Sequence, residues 1–271
     1  MGTLEKKKIF TAILLIPPVV VILFLGPAFL LLMVLLATFL GIREYYTLAL
    51  PDAKGIERWT GIGLALLVSV FTSLGDPRIL SLSFVLLLLL LLVLFMGTSQ
   101  SLQNAISNTG ITLFGILYIA FLLAHVSLIR NAANGELWVL FLIATVWAAD
   151  VFAFLTGSLL GRHKLYPKIS PKKTYEGLAG AIGGSILVAL IFAMLFMPRL
   201  HTGHCILLAV IVSVLGQFGD FTESMLKRSA RVKDSGVLIP GHGGMLDRLD
   251  SFLFAAPALH YSLLLLVREV L

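Results

Sequence analysis

Residues 79–97 read ILSLSFVLLLLLLLVLFMG, a run without a single charged side chain. As a helix rising 1.5 Å per residue, a run of this length crosses the roughly 30 Å hydrocarbon core of a bilayer. The leucines from Leu86 to Leu92 leave no polar stripe for a solvated surface and are expected to face lipid. Working outward, similar runs broken by polar or Gly/Pro punctuation occupy 9–25, 27–42, 60–74, 109–129, 137–160, 178–197, 205–225 and 246–267. With nine such segments in 271 residues, the sequence predicts an all-α polytopic membrane protein of about nine transmembrane helices. Five spans form an N-terminal transmembrane region over 1–136, and four form a C-terminal region over 137–271 that carries the chemistry. Composition agrees: 59% of residues are apolar, 13% are charged and the mean hydropathy is +1.02. These values exclude a soluble globule, a disordered chain and a soluble enzyme on one anchor. The lone Cys205 excludes an internal disulfide.

Charge then orients the chain. On alternate sides of nine spans, one side holds sixteen of the twenty basic residues: Lys6–Lys8, Arg43, Lys54, Arg58, Arg162, Lys164, Lys168, Lys172, Lys173, Lys227, Arg228, Arg231, Lys233 and Arg248. The other side holds only Arg78, Arg130, Arg199 and Arg268. By the positive-inside rule the N-terminus is cytoplasmic and the C-terminus lies opposite. Lys6-Lys7-Lys8 resembles the basic end of a signal peptide, but the apolar run after it exceeds the usual core of about 7–15 residues, so an uncleaved first span is expected. The net charge of +6 is thereby assigned to topology and a phosphate-binding surface, with no nucleic acid partner.

Five acids, Asp150, Asp220, Glu223, Asp247 and Asp250, fall inside or at the lip of spans, where an ionisable group is costly unless it has a partner or lines a polar cavity. Asp220 and Glu223 are three residues apart, as are Asp247 and Asp250, so each pair occupies one helix face. The connecting loop makes the two helices antiparallel and brings both pairs toward one end. Four carboxylates near one depth call for a cation, and oxygen ligands without a His or Cys cluster favour Mg²⁺. Glu223 and Lys227, at i,i+4, serve either as a lock between helical turns or in function.

Between the acid pairs runs KRSARVKDSGVLIPGHGG, 227–244, whose Lys227, Arg228, Arg231 and Lys233 supply positive charge and whose Gly241, Gly243 and Gly244 admit a ligand close to the backbone. Basic side chains, backbone amides and a carboxylate-held Mg²⁺ are the parts needed to bind and polarise a polyphosphate. A second basic loop, GRHKLYPKISPKKTYEG, 161–177, is held from helix by Pro167 and Pro171 and is expected to be an ordered turn. Within it Glu176 either orients Lys172 or caps the next helix. Gly180 and Gly184, as G-x-x-x-G, predict close helix packing.

The stretch from Ser224 to Asp250, SMLKRSARVKDSGVLIPGHGGMLDRLD, resembles the C-terminal motif of the phosphatidate cytidylyltransferase (CDP-diacylglycerol synthase) family. Ser224, Lys227, Arg228, Lys233, Asp234, His242, Gly243, Gly244, Asp247, Arg248 and Asp250 all fit its spacing, and SPKKTYEG from Ser170 to Gly177 is similar to the family's second element. One departure is that Asp150 is followed by Val151 and Phe154, where members often carry a small hydroxyl residue and a tyrosine. The resemblance implies an integral protein of the plasma or inner membrane, with a cytoplasmic site converting CTP and phosphatidic acid to CDP-diacylglycerol and pyrophosphate. It implies Mg²⁺, with a second cation left open, and a homodimer.

On that basis Asp220 and Asp247 are expected to hold the metal, with Asp250, Glu223 and Asp150 as further ligands or supports. Asp220, Asp247, Asp250, Lys227 and Arg228 form the catalytic set. Lys168, Ser170, Lys172, Lys173, Lys233, Asp234 and Arg248 join substrate binding, and His242 with Gly243 and Gly244 shapes the site of the leaving pyrophosphate. The alternative is an ion-coupled transporter using the intramembrane aspartates. Against it, the chemistry is concentrated in the second half of the chain.

Overall fold

Helices here begin where proline and glycine punctuate the apolar runs. Gly26, at φ +128°, turns the chain into Pro27, which opens α1 (Pro27–Ala49). Pro77 opens α3 (Pro77–Thr98) after Asp76, whose carboxylate accepts from the Arg78 amide at 2.8 Å. Proline in the first helical turn loses nothing, because its missing N–H would have had no intrahelical partner. Between them lies α2 (Gly55–Ser73), and the chain continues through α4 (Leu102–Asn131), α5 (Gly135–Leu160), α6 (Tyr175–Leu195), α7 (Thr202–Ser229) and α8 (Leu246–Leu266). The computed structural model describes residues 17–99, 101–197, 200–236 and 243–267, and residues 17–25 are also helical.

The protein is thus a helical, polytopic membrane protein. Among the described residues seven helices, α1 and α3–α8, are long and apolar enough to cross a bilayer, and they coincide with seven of the nine expected segments. The expected span 60–74 falls in α2, which starts earlier and carries Glu57 and Arg58 in its first turn. The expected span 9–25 lies partly outside the described residues. In α3, whose run 79–97 carries no charge, Ser83, Leu87, Leu91 and Phe95 are buried along one four-residue repeat, while Leu86, Leu88, Leu89, Leu90 and Leu92 are exposed. The leucine run therefore does not face outward throughout: helical periodicity sends Leu87 and Leu91 into the protein.

Two compact units are built from these elements. The first contains described residues up to Leu128 together with Val232–Leu249; the second contains Ile129–Arg231 and the described residues from Asp250 onward. In the first unit a π-helical turn, Ile116–Phe121, interrupts α4. The Ala120 carbonyl there accepts from Ser69 Oγ at 3.1 Å, and Ser69 lies 3.3 Å from Thr38 Oγ1, so polar groups on three helices satisfy one another in an apolar setting. The Tyr45 ring lies on Gly115, with its hydroxyl donating to the Ile111 carbonyl at 3.0 Å.

In the second unit glycine sets how closely helices pack. A methyl group added at Gly180 would meet Thr156 Oγ1 at 2.0 Å, and one at Gly184 would meet the Phe152 ring at 2.5 Å. The G-x-x-x-G pair is the contact surface of α6 on α5, as its spacing predicts. Gly219 brings α7 against α8: a Cβ there would sit 2.3 Å from the backbone oxygen of Asp250. Because backbone cannot rotate aside as a side chain can, Gly219→Ala is expected to cost about 1–3 kcal/mol and to lower the thermal midpoint of the purified protein in detergent. The equivalent change at Gly183, which faces open space, should leave that midpoint unchanged.

Candidate functional site

The basic loop between α5 and α6 folds as a small antiparallel hairpin, β1 (Lys164–Tyr166) with β2 (Ser170–Thr174). Its prolines exclude helix, as expected, and a two-stranded ribbon tolerates Pro171 because every strand in it is an edge. This hairpin is the exception to the expected all-α fold. Thr174 ends β2 and caps α6, its hydroxyl accepting from the Gly177 amide at 3.1 Å. Glu176, in the first turn of α6, is engaged at the helix start rather than with Lys172. It accepts from the His163 amide and lies 2.7 Å from His163 Nδ1, tying the start of the hairpin to the start of α6.

Strand alternation separates two lysines that look equivalent in sequence. Lys172 is exposed, whereas Lys173 turns inward. Lys173 Nζ lies 2.6 Å from Asp220 Oδ2 on α7 and 4.1 Å from the centroid of the Phe221 ring, with only 19% of its side chain accessible. The ammonium is therefore held by a charge pair and the face of an aromatic ring. Ser224, one turn along α7, donates to Asp220 Oδ1 at 3.4 Å.

On that same turn, Glu223 is fully buried and paired with Lys227 at i,i+4. Asp250, half-buried near the start of α8, accepts from the Ser251 amide at 2.7 Å and lies within electrostatic reach of Asp220, Glu223 and Asp150. Asp250 thus has three of the other expected acids within electrostatic reach in the second unit, where Lys173 pairs with Asp220 and Lys227 with Glu223. Asp150 is exposed on α5, and Arg228 is exposed in the last turn of α7.

The fifth acid, Asp247, belongs to the first unit. Its Oδ2 accepts from the Ser235 amide at 2.9 Å, the Ser235 hydroxyl at 2.9 Å and the Gly244 amide at 2.8 Å. Sequence reasoning missed the residue beside it. Glu44, near the end of α1, accepts from the Met245 and Leu246 amides at 2.8 and 2.9 Å and lies 3.0 Å from Ser235 Oγ. These are the orphan amides at the start of α8, so α1 supplies the cap that the local sequence lacks. Gly244 is required by this arrangement: a Cβ would lie 2.3 Å from both Glu44 Oε2 and Ser235 Oγ. Gly243 has φ +78°, which a side chain would strain.

Lys168, at the hairpin turn, and Lys233, Asp234 and Arg248 are exposed, and Ser170 is half-buried at the start of β2. His242 lies outside the described residues. Among the described residues no three His, Cys, Asp or Glu side chains close on a point as a ready metal cage. The donor set still suits a hard cation. Mg²⁺ commonly takes one or two carboxylates and completes its shell with phosphate oxygens and water, and Asp220 and Asp250 offer only oxygen.

Fold and site define a polytopic helical membrane protein whose lysines and acids meet among its helices. The cytidylyltransferase family model matches residues 6–266. Phosphatidate cytidylyltransferase of Synechocystis sp. is 32% identical, aligned over 97% of this chain and 98% of that protein. The Bacillus subtilis enzyme of the same name is 38% identical over 69% of this chain and 68% of its own length. With the Staphylococcus epidermidis phosphatidate cytidylyltransferase identity rises to 44%, over 50% of this chain and 52% of that protein, so that this match spans about half of either. The chain belongs to the cytidylyltransferase family.

Proposed function

We propose that this protein is a phosphatidate cytidylyltransferase, joining CTP to phosphatidic acid to give CDP-diacylglycerol and pyrophosphate. A phosphate oxygen of the lipid forms a bond to the α-phosphorus of CTP as the bond to the bridging oxygen of the β-phosphate breaks, and pyrophosphate leaves with that oxygen. The lipid phosphate is already ionised, so the chain need supply no strong base; its task is positioning and neutralisation of charge. The observation that carries this reading is the set of lysines interleaved with acids, Lys173 on Asp220 and Lys227 on Glu223 beside Asp250, within a chain matched along its length by the family.

Lys173 and Lys227 keep the acids at their proper positions and offer ammonium groups to phosphate oxygens, with Arg228, Lys172 and Lys168 adding positive charge and Ser170 a hydroxyl; Lys233, Asp234 and Arg248 serve substrate binding in the same reaction. Asp220 and Asp250 would hold Mg²⁺, supported by Glu223 and Asp150; when bound it supplies charge neutralisation at the phosphates. Asp247 serves the same reaction. We place the site on the cytoplasmic face of a plasma or inner membrane, in a nine-span chain with a cytoplasmic N-terminus that works as a homodimer. Sixteen basic residues on one side support that orientation.

Purified protein in detergent, given CTP, phosphatidic acid and Mg²⁺, should form CDP-lipid and pyrophosphate in equal amounts. ATP, GTP and UTP, or diacylglycerol in place of phosphatidic acid, should give none, and chelation of Mg²⁺ should stop the reaction. Failure to form CDP-lipid would overturn the proposal. Binding of an ion without turnover would instead favour the transporter.

A further inference from the structure

We infer that Glu44 is a positioning residue for the Asp247 carboxylate, reaching it from α1 through Ser235 and the first turn of α8. The distance in sequence is large, since Glu44 lies 201 residues before Met245, yet its carboxylate makes both amide contacts at the helix start. Glu44 Oε2 and Asp247 Oδ2 share one intermediary, Ser235 Oγ, at 3.0 and 2.9 Å. A hydroxyl has a single proton, so Ser235 donates to one carboxylate at a time, and the firm tie from Glu44 to the Asp247 turn runs through the Met245 and Leu246 amides at the start of α8.

The surrounding residues are shaped to this coupling. Gly236 and Gly244 leave room for the Glu44 carboxylate, a Cβ at either coming within 2.7 and 2.3 Å of its oxygens. Asp247 Oδ2 already receives two backbone amides, so its direction is set by the segment Ser235–Gly236 on one side and Gly244 on the other. Glu44 fixes both sides. A carboxylate held this tightly does not reorganise when charge develops nearby, which is the condition for electrostatic catalysis.

The inference rests on the cytidylyl-transfer reading in which Asp247 takes part. Glu44→Gln keeps the shape but exchanges one acceptor oxygen for an NH₂ that cannot accept, so one of the two α8 amides loses its partner. Turnover should fall on the order of 10–100-fold, with KM for CTP held within about threefold, because misplacing a group without removing it lowers kcat rather than binding. Glu44→Asp should recover part of this only if its shorter carboxylate still reaches the amides, and Ser235→Ala, which removes the bridging hydroxyl alone, should lower kcat in the same sense.

A second measurement is independent of activity. Amide hydrogen exchange at Ser235, Gly244, Met245 and Leu246 should quicken in Glu44→Gln, with α5 and α6 unchanged. Wild-type exchange and wild-type kcat in both Glu44→Gln and Ser235→Ala would sink the inference. If wild-type protein makes no CDP-lipid, the functional reading fails, while the exchange experiment still decides whether Glu44 holds the Asp247 segment. If Glu44→Gln does not fold, Ser235→Ala carries both measurements.

Discussion

Asp247→Asn protein is expected to remain folded and to lose CDP-lipid formation by on the order of 10²–10³-fold. The two halves of this expectation have separate causes. Asparagine can place its carbonyl oxygen where Oδ2 stands and go on accepting from the Ser235 and Gly244 amides, so the segment before α8 keeps its hydrogen bonds. What disappears is the negative charge. Asp247→Ala removes the acceptor as well, leaving those amides to find others at about 1–3 kcal/mol each. The alanine variant should therefore melt below the asparagine variant in detergent while being equally inactive. Equal midpoints would show that the hydrogen bonds contribute little. Wild-type turnover in Asp247→Asn, with CTP and phosphatidic acid saturating, would remove Asp247 from the reaction.

The contrast between Asp247 and Glu44 shows what a single sequence discloses. Asp247 is conspicuous because it lies three residues before Asp250 in an apolar run, and the penalty for an acid in lipid marks both. Glu44 follows the expected 27–42 segment by two residues, beside Arg43, and so fell outside a criterion based on burial in a span. In the structure α1 continues to Ala49, which makes Glu44 part of a helix long and apolar enough to cross the membrane. Extending the segment by one turn would have exposed it to the same test. Its partners could not have been named, because nothing in local spacing connects residue 44 to residues 235, 245 and 246.

Other parts were legible to the extent that local rules governed them. The charge-free run 79–97 became α3, and Gly180 with Gly184 became a helix contact, because hydrophobic length and small-residue spacing act along one helix. The start of α2 was misplaced since Lys54 is not a usual cap. Its backbone amide nonetheless donates to Glu57 at 2.8 Å, which lets the helix begin five residues earlier than the apolar pattern. Pro167 and Pro171 excluded helix without revealing the hairpin, whose strands are too short for alternation to register. That short alternation is what sends Lys173 to Asp220 and leaves Lys172 outside.

The Glu223–Lys227 pair calls for a double-mutant cycle, because its geometry fits a structural lock and a catalytic role alike. Glu223 is fully buried and precedes Lys227 by one turn, the favourable order for an i,i+4 pair. Removing one member of a buried pair strips a charge of its compensation, so Lys227→Met should destabilise the protein by about 3–5 kcal/mol and lower its thermal midpoint sharply. Removing both charges in Lys227→Met/Glu223→Gln lifts that penalty, and the midpoint should return toward wild type. Activity should not follow. If Lys227 also contacts a phosphate, the doubly substituted protein stays on the order of 10²-fold down in kcat/KM for CTP despite its recovered fold. Recovery of both quantities would make the pair a lock between helical turns and withdraw Lys227 from the catalytic set. Loss of both would mean that its charges order the end of α7 itself, so the stability and activity arms of the cycle must be measured on the same preparations.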